Sequence, residues 1–175
     1  MVSLPGLTRQ SIEKEFFRMD ARVKPAHDEV ERTEARMTPD QIKLVQQSFA
    51  KVAPISETAA VLFYDRLFEI APSVRALFPD DLAEQRKKLM ATLAVVVNGL
   101  SNLPSVLPAA SALAKRHVGY GAKPEHYPVV GSALLWTLEK GLGDAWTPEL
   151  AAAWTATYGT LSGYMIAEAW PQAAE

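Results

Sequence analysis

Residues 82–100 read LAEQRKKLMATLAVVVNGL, and the fold turns on how that stretch repeats. Leu82, Leu89, Leu93, Val96 and Leu100 recur at helical spacing, the signature of an α-helix with one apolar face. A strand would alternate every second residue, and no segment of the chain does so for long enough. Gln85 stands inside the stripe, between Leu82 and Leu89. A buried amide without hydrogen-bond partners costs about 1–3 kcal/mol. Gln85 therefore either reaches solvent at the edge of the stripe or meets a partner inside the protein.

Working outward, the chain is helical in both directions. Upstream, Thr38-Pro39-Asp40 is an N-cap followed by proline at the first helical position. It opens a helix from Pro39 to about Val52, with Ile42, Val45 and Phe49 on one face. Pro54 ends it, and Ser56-Glu57 starts another that runs to Ile70. Pro72 begins a short helical turn that stops near Phe78-Pro79, and the long helix then spans Asp81 to Gly99. Downstream, a helix runs from Leu103 to His117, ended by Gly119 and Gly121. Residues 125–142 form the next, closed by Gly141 and Gly143. Thr147-Pro148-Glu149 repeats the cap and proline and opens the last, to about Trp170.

Two more polar residues sit on apolar faces. Val106, Ala110, Leu113 and His117 stand at spacings of four, three and four, so His117 continues a stripe. Such a histidine either complements the negative end of its helix, beside Lys115-Arg116, or ligates a metal or cofactor. Tyr64 falls four residues after Ala60 and three before Leu67. It is either a core tyrosine bonded to backbone or a functional hydroxyl, and Tyr127, next to Pro128, shares that ambiguity.

Composition removes many alternatives. The 175 residues carry a net charge of −2 and 49% hydrophobic residues, which fits one soluble domain and gives no reason to expect nucleic-acid binding. There are no cysteines, so disulfides, thiolate nucleophiles, iron–sulfur clusters and thioether-linked haem are excluded. The three histidines, His27, His117 and His126, are too few for a multi-histidine metal site. No phosphate loop, dinucleotide fingerprint or nucleophile elbow is present. Asp80-Asp81 reads as solvated charge, and Arg86-Lys87-Lys88 is too short a run for nucleic acid. No run of apolar residues reaches the roughly 18–20 that a membrane span needs, and no signal peptide is evident, so a cytoplasmic protein is expected.

The first 36 residues differ from the rest. Fourteen of them are charged, against 24 of the remaining 139. They include MDARVKPAHDE (19–29), which resembles translated repeat DNA found ahead of unrelated bacterial reading frames. Residues 1–36 are expected to be a loosely attached extension, with Met37 as a candidate start and residues 37–175 as the folded domain. The alternative is a charged helical arm built on IEKEFFRM.

Polar residues on apolar faces of three helices suit one cofactor, haem, in which a lone imidazole holds the iron and polar groups on the opposite side tune what binds. With LFYDRLF, PSVRALF, EQRKKLM, KRHVGYG, HYPVVG and AWTATYG in that order, the chain resembles a bacterial single-domain globin. The class is that of flavohaemoglobin globin domains and neuroglobin-like proteins, and the resemblance spans Pro39 to Trp170. It implies an all-α globin fold, a three-over-three helical sandwich around a haem pocket, with haem b (iron protoporphyrin IX) as cofactor. By that resemblance His117 is the proximal iron ligand, Phe78 wedges the haem plane, and Tyr64 and Gln85 are the distal residues. Leu89 flanks the ligand, Lys88 reaches a propionate, Leu113 packs beneath the ring, and Tyr127 and Val130 line the proximal side. Flavohaemoglobins pair the proximal histidine with that tyrosine and a late glutamate. Here Ala169 takes the glutamate's place, with Glu168 one residue, about 100°, away.

The resemblance implies reversible binding of oxygen, nitric oxide or carbon monoxide, for storage, carriage or sensing, by a monomer or weak homodimer. The enzymatic alternative is nitric-oxide dioxygenation, which needs a separate reductase. The alternative without haem is a helical sensor or interaction domain.

Overall fold

The computed structural model describes residues 37–171; the expectations for residues 1–36, His27 among them, lie outside it. Six α-helices are found among the described residues: α1 Pro39–Val52, α2 Ser56–Ile70, α3 Ala83–Gly99, α4 Leu103–Gly119, α5 His126–Leu142 and α6 Pro148–Ala169, with no strand. Short 3-10 turns join several of them, including Pro72–Leu77 before α3 and Leu100–Asn102 between α3 and α4.

The helix starts follow the caps. The Thr38 hydroxyl accepts from the Gln41 amide (3.1 Å) while the Gln41 side chain accepts from the Thr38 amide (3.0 Å), a reciprocal box. Thr147 caps α6 in the same manner, accepting from Leu150 N at 3.2 Å. α3 begins two residues later than expected. Asp81 Oδ1 accepts from Ala83 N at 2.9 Å, so the side chain takes the helix's first free amide and keeps Asp81 and Leu82 outside. Gln85 thus lies in the first turn. α4 runs two residues past His117, and Gly121, at φ +88°, makes the turn that a side-chain-bearing residue would resist.

α2 packs chiefly on α5, α4 on α6, α1 on α6, and α3 crosses α2. Trp154 of α6 is buried in the core and donates its indole N–H to Ser48 Oγ of α1 at 2.9 Å. Burial of an aromatic of this size stabilises the fold by about 1.5–3 kcal/mol, and the hydrogen bond removes the desolvation cost of the indole. Val45, Leu67, Val97 and Tyr64 are sealed in the same core.

One sequence expectation is corrected. The helical run Ala83–Gly119 contains an 18-residue window of mean hydropathy 1.5, long and apolar enough by composition to cross a membrane. The apolar stretch extends beyond α3, because Leu89 to Ala114 carries no charged residue. In the fold this run is interrupted by the 3-10 turn at Leu100–Asn102, and its two helices pack on α2 and α6.

Candidate functional site

The residues singled out from sequence fall into two groups. The first gathers at the α2–α3 crossing and the 3-10 turn between them. Tyr64 is 2% exposed, with its ring edge-on to Phe63 (5.0 Å) and to Phe78 (5.5 Å). Phe78 also meets Phe68 at 5.5 Å. The corner carrying Phe78 is fixed by Arg75, whose guanidinium donates to the carbonyls of Phe78 (3.2 Å), Pro79 (3.0 Å) and Asp80 (3.3 Å) and lies over the Phe68 ring. Burial pushes the Tyr64 hydroxyl above its ordinary value, while a hydrogen bond with the Gln85 side chain and the positive charge of Arg86 pull it back. The Gln85 side chain thus lies on the side of the Tyr64 hydroxyl. Leu89, half-buried, packs onto the same core, and Lys88 is exposed.

The second group is on α4, α5 and the end of α6. His117 is half-buried in the last turn of α4, with Nδ1 2.7 Å from the Leu113 carbonyl. A carbonyl only accepts, so Nδ1 carries the hydrogen and the neutral ring keeps its lone pair on Nε2. The Tyr127 ring lies 6.3 Å from that of His117, and Trp170 meets Tyr127 edge-on at 6.0 Å. The Tyr127 hydroxyl is buried with no hydrogen-bond partner among the described residues, and burial raises it above the usual phenol range. The Tyr158 hydroxyl donates to the Tyr127 carbonyl at 2.6 Å and so fixes the backbone of that turn. Val130 is half-buried one turn on and packs on the main core. Leu113 packs with Tyr127 and Ala114 in a separate apolar cluster that joins the main one through Leu161.

Glu168 has its partner on α4, away from the last turn that carries His117. Its carboxylate accepts from Ser111 Oγ at 2.7 Å, and Ala169, beside it, packs in the apolar cluster of Tyr127. Sequence reasoning passed over Ser111, Trp170 and Arg86. The first two depend on where the end of α6 meets α4 and α5, which no local pattern reveals. Arg86 was hidden in a basic run.

The donor set fits the haem that the resemblance implies. One imidazole nitrogen is held by backbone while the other is left to a metal. On the opposite group a hydroxyl and an amide offer hydrogen-bond donors, and Lys88 has no carboxylate partner among the described residues. No cluster of three or more histidine, aspartate or glutamate residues offers a competing metal site among the described residues.

Comparison with known proteins bears on the family and the fold. The Globin family model matches residues 61–165. A flavohemoprotein of Rhodopirellula baltica is 37% identical over 128 residues, covering 71% of this chain and 31% of the relative. A flavohemoprotein of Bacillus subtilis is 30% identical over 128 residues, covering 71% and 32%. The chain thus spans about a third of the length of these curated relatives. Among solved structures, a bacterial globin from Campylobacter jejuni aligns with a TM-score of 0.69 at 24% identity, covering 79% of this chain and 100% of that one.

Proposed function

Because the chain belongs to the globin family, we propose that it is a haem b protein that binds oxygen and other diatomic gases reversibly, for storage, carriage or sensing. Haem b, when bound, supplies the iron centre at which a gas is held. His117 Nε2 would ligate the haem iron. The Leu113 carbonyl fixes the tautomer and orientation of its ring through Nδ1. Leu113, Tyr127 and Val130 would provide apolar contact to it, Phe78 would pack against it, and Lys88 would balance a propionate. The Tyr64 hydroxyl would donate to the gas, Gln85 would donate or relay, and Leu89 would exclude water.

One observation carries the choice of reversible binding: Glu168 is engaged by Ser111, and the hydrogen of His117 goes to a backbone carbonyl. A carboxylate in that place would withdraw the Nδ1 hydrogen more strongly and make the imidazole a stronger electron donor. A carbonyl does so less, which favours holding a gas over activating it. Absorption spectra of the purified protein, ferric, ferrous and with carbon monoxide, test the reading. A Soret band that shifts on reduction and again with carbon monoxide is expected, and its absence after expression with haem available would overturn it.

Similarity to flavohemoproteins favours a second reading, nitric-oxide dioxygenation with electrons from a separate flavin-containing reductase. Sustained nitrate formation from nitric oxide and oxygen, with a reductase present, would establish it. A single turnover would leave reversible binding as the function.

A further inference from the structure

A half-open cavity of about 480 Å3 lies between α2 and α3, and nothing in the gas-binding reading uses it. Its walls combine Ala60, Val61 and Met90 with three charged residues, Glu57, Arg86 and Lys87. Arg86 is the unusual member. It is half-buried, its Nε is sealed from solvent, and no acceptor among the described residues reaches that atom. It has no ion pair among the described residues, whereas Lys87 is already paired with Glu84 at 3.1 Å. A guanidinium cannot shed its charge and carries five donors. A sealed donor without a partner is rare enough in proteins to call for an explanation, and the rest of the same guanidinium borders the cavity.

We propose that this cavity is a binding site for a planar, singly charged oxyanion, a carboxylate or nitrate, held by the Arg86 guanidinium against the apolar wall of Ala60, Val61 and Met90. The planar fork of arginine matches two oxygens of such an anion. Glu57 on the same cavity repels a di- or trianion, so phosphate is disfavoured. The volume lies in the range that takes small organic ligands and leaves room beyond the anionic head for a short alkyl tail on the apolar wall.

The site stands independently of the haem reading.

Calorimetric titration of the full chain tests the site, in its ferrous, carbon-monoxide-saturated form so that anions cannot take the iron. Sodium octanoate, sodium nitrate and octanol are the probes, in low-salt buffer. Octanoate is expected to bind one per chain and octanol not to bind. Arg86→Gln should weaken octanoate at least about tenfold, as for loss of a charge-assisted pair. Glu57→Gln should tighten it about two- to fivefold by removing a like charge. Nitrate binding as tightly as octanoate identifies an inorganic oxyanion as the ligand; octanoate binding tenfold tighter identifies an organic carboxylate with an apolar tail. If Arg86→Gln does not fold, Arg86→Lys keeps the charge without the fork and should still weaken binding about threefold or more. Octanol binding as well as octanoate, no heat from either anion, or unchanged affinity in the arginine variants would overturn the proposal. A missing Soret band would count against the haem reading alone; the titrations are then run on the chain as purified, with the same outcomes deciding the site.

Discussion

The Glu168 carboxylate lies 2.7 Å from the Ser111 hydroxyl, bridging the end of α6 to the middle of α4 six residues before His117. The acidic residue is therefore engaged by a partner on α4 other than His117. An exposed pair of this kind contributes little, less than about 1 kcal/mol. Ser111→Ala and Glu168→Gln should each leave the oxygen and carbon monoxide dissociation rates within about twofold of the parent. Resonance Raman of the ferrous protein checks the same point, since the iron–imidazole stretch should not move in either variant. A clear downward shift in Glu168→Gln would mean that Glu168 strengthens the imidazole after all.

His117 should be the residue on which haem retention depends. Its Nδ1 is held by Leu113, and the described residues offer no cluster of metal-ligating side chains to replace it. His117→Ala should lose most of its haem on gel filtration, or keep it only with added imidazole. Full haem content and an unchanged deoxy ferrous spectrum would remove His117 from the axial role.

The helices were legible because their signals are local. Thr38-Pro39 and Thr147-Pro148 mark starts within two residues of the first turn, and the stripes of α1 to α4 repeat within one element. The start of α3 was misjudged because Asp81 serves as a side-chain cap and not as the first helical residue. Arg86, Lys87 and Lys88 show where sequence stops. Successive residues turn about 100° around a helix. Of these three, Arg86 lines the α2–α3 cavity, Lys87 also borders it but pairs with Glu84, and Lys88 is exposed. Only the crossing of α2 over α3 decides which cation is enclosed, and that crossing is set by contacts distant in sequence.

Alkaline pH should weaken the fold through three tyrosines. Tyr64, Tyr127 and Tyr158 are each pushed above the ordinary phenol value, chiefly by burial. The unfolded chain releases these protons first, near pH 10. Folded stability is therefore untouched by them well below pH 10 and falls as pH rises from there through the folded values. Phenolate absorbance near 295 nm at pH 11 should be lower in the native protein than in guanidinium-unfolded chain. Equal absorbance in a chain that remains helical by circular dichroism would show that these hydroxyls are not protected.

The distal pair gives the sharpest test of the gas-binding reading. Tyr64→Phe keeps the ring in its contacts with Phe63 and Phe78 and removes only the hydroxyl that Gln85 contacts. A hydrogen bond from that hydroxyl to bound oxygen, which carries partial negative charge, should be worth roughly 1–2 kcal/mol. Its loss should speed oxygen dissociation about 5–30-fold, since such losses fall mainly on the off-rate. Bound carbon monoxide carries less negative charge, so its dissociation should change far less. Gln85→Leu should act in the same direction, and the double variant should fall short of the product of the two because both groups belong to one network. A tyrosine that only fills the core predicts otherwise: a lower melting temperature and equal effects on both gases. Stopped-flow off-rates for both gases separate the two, and an unchanged oxygen off-rate in both single variants would exclude this pair as the source of ligand stabilisation.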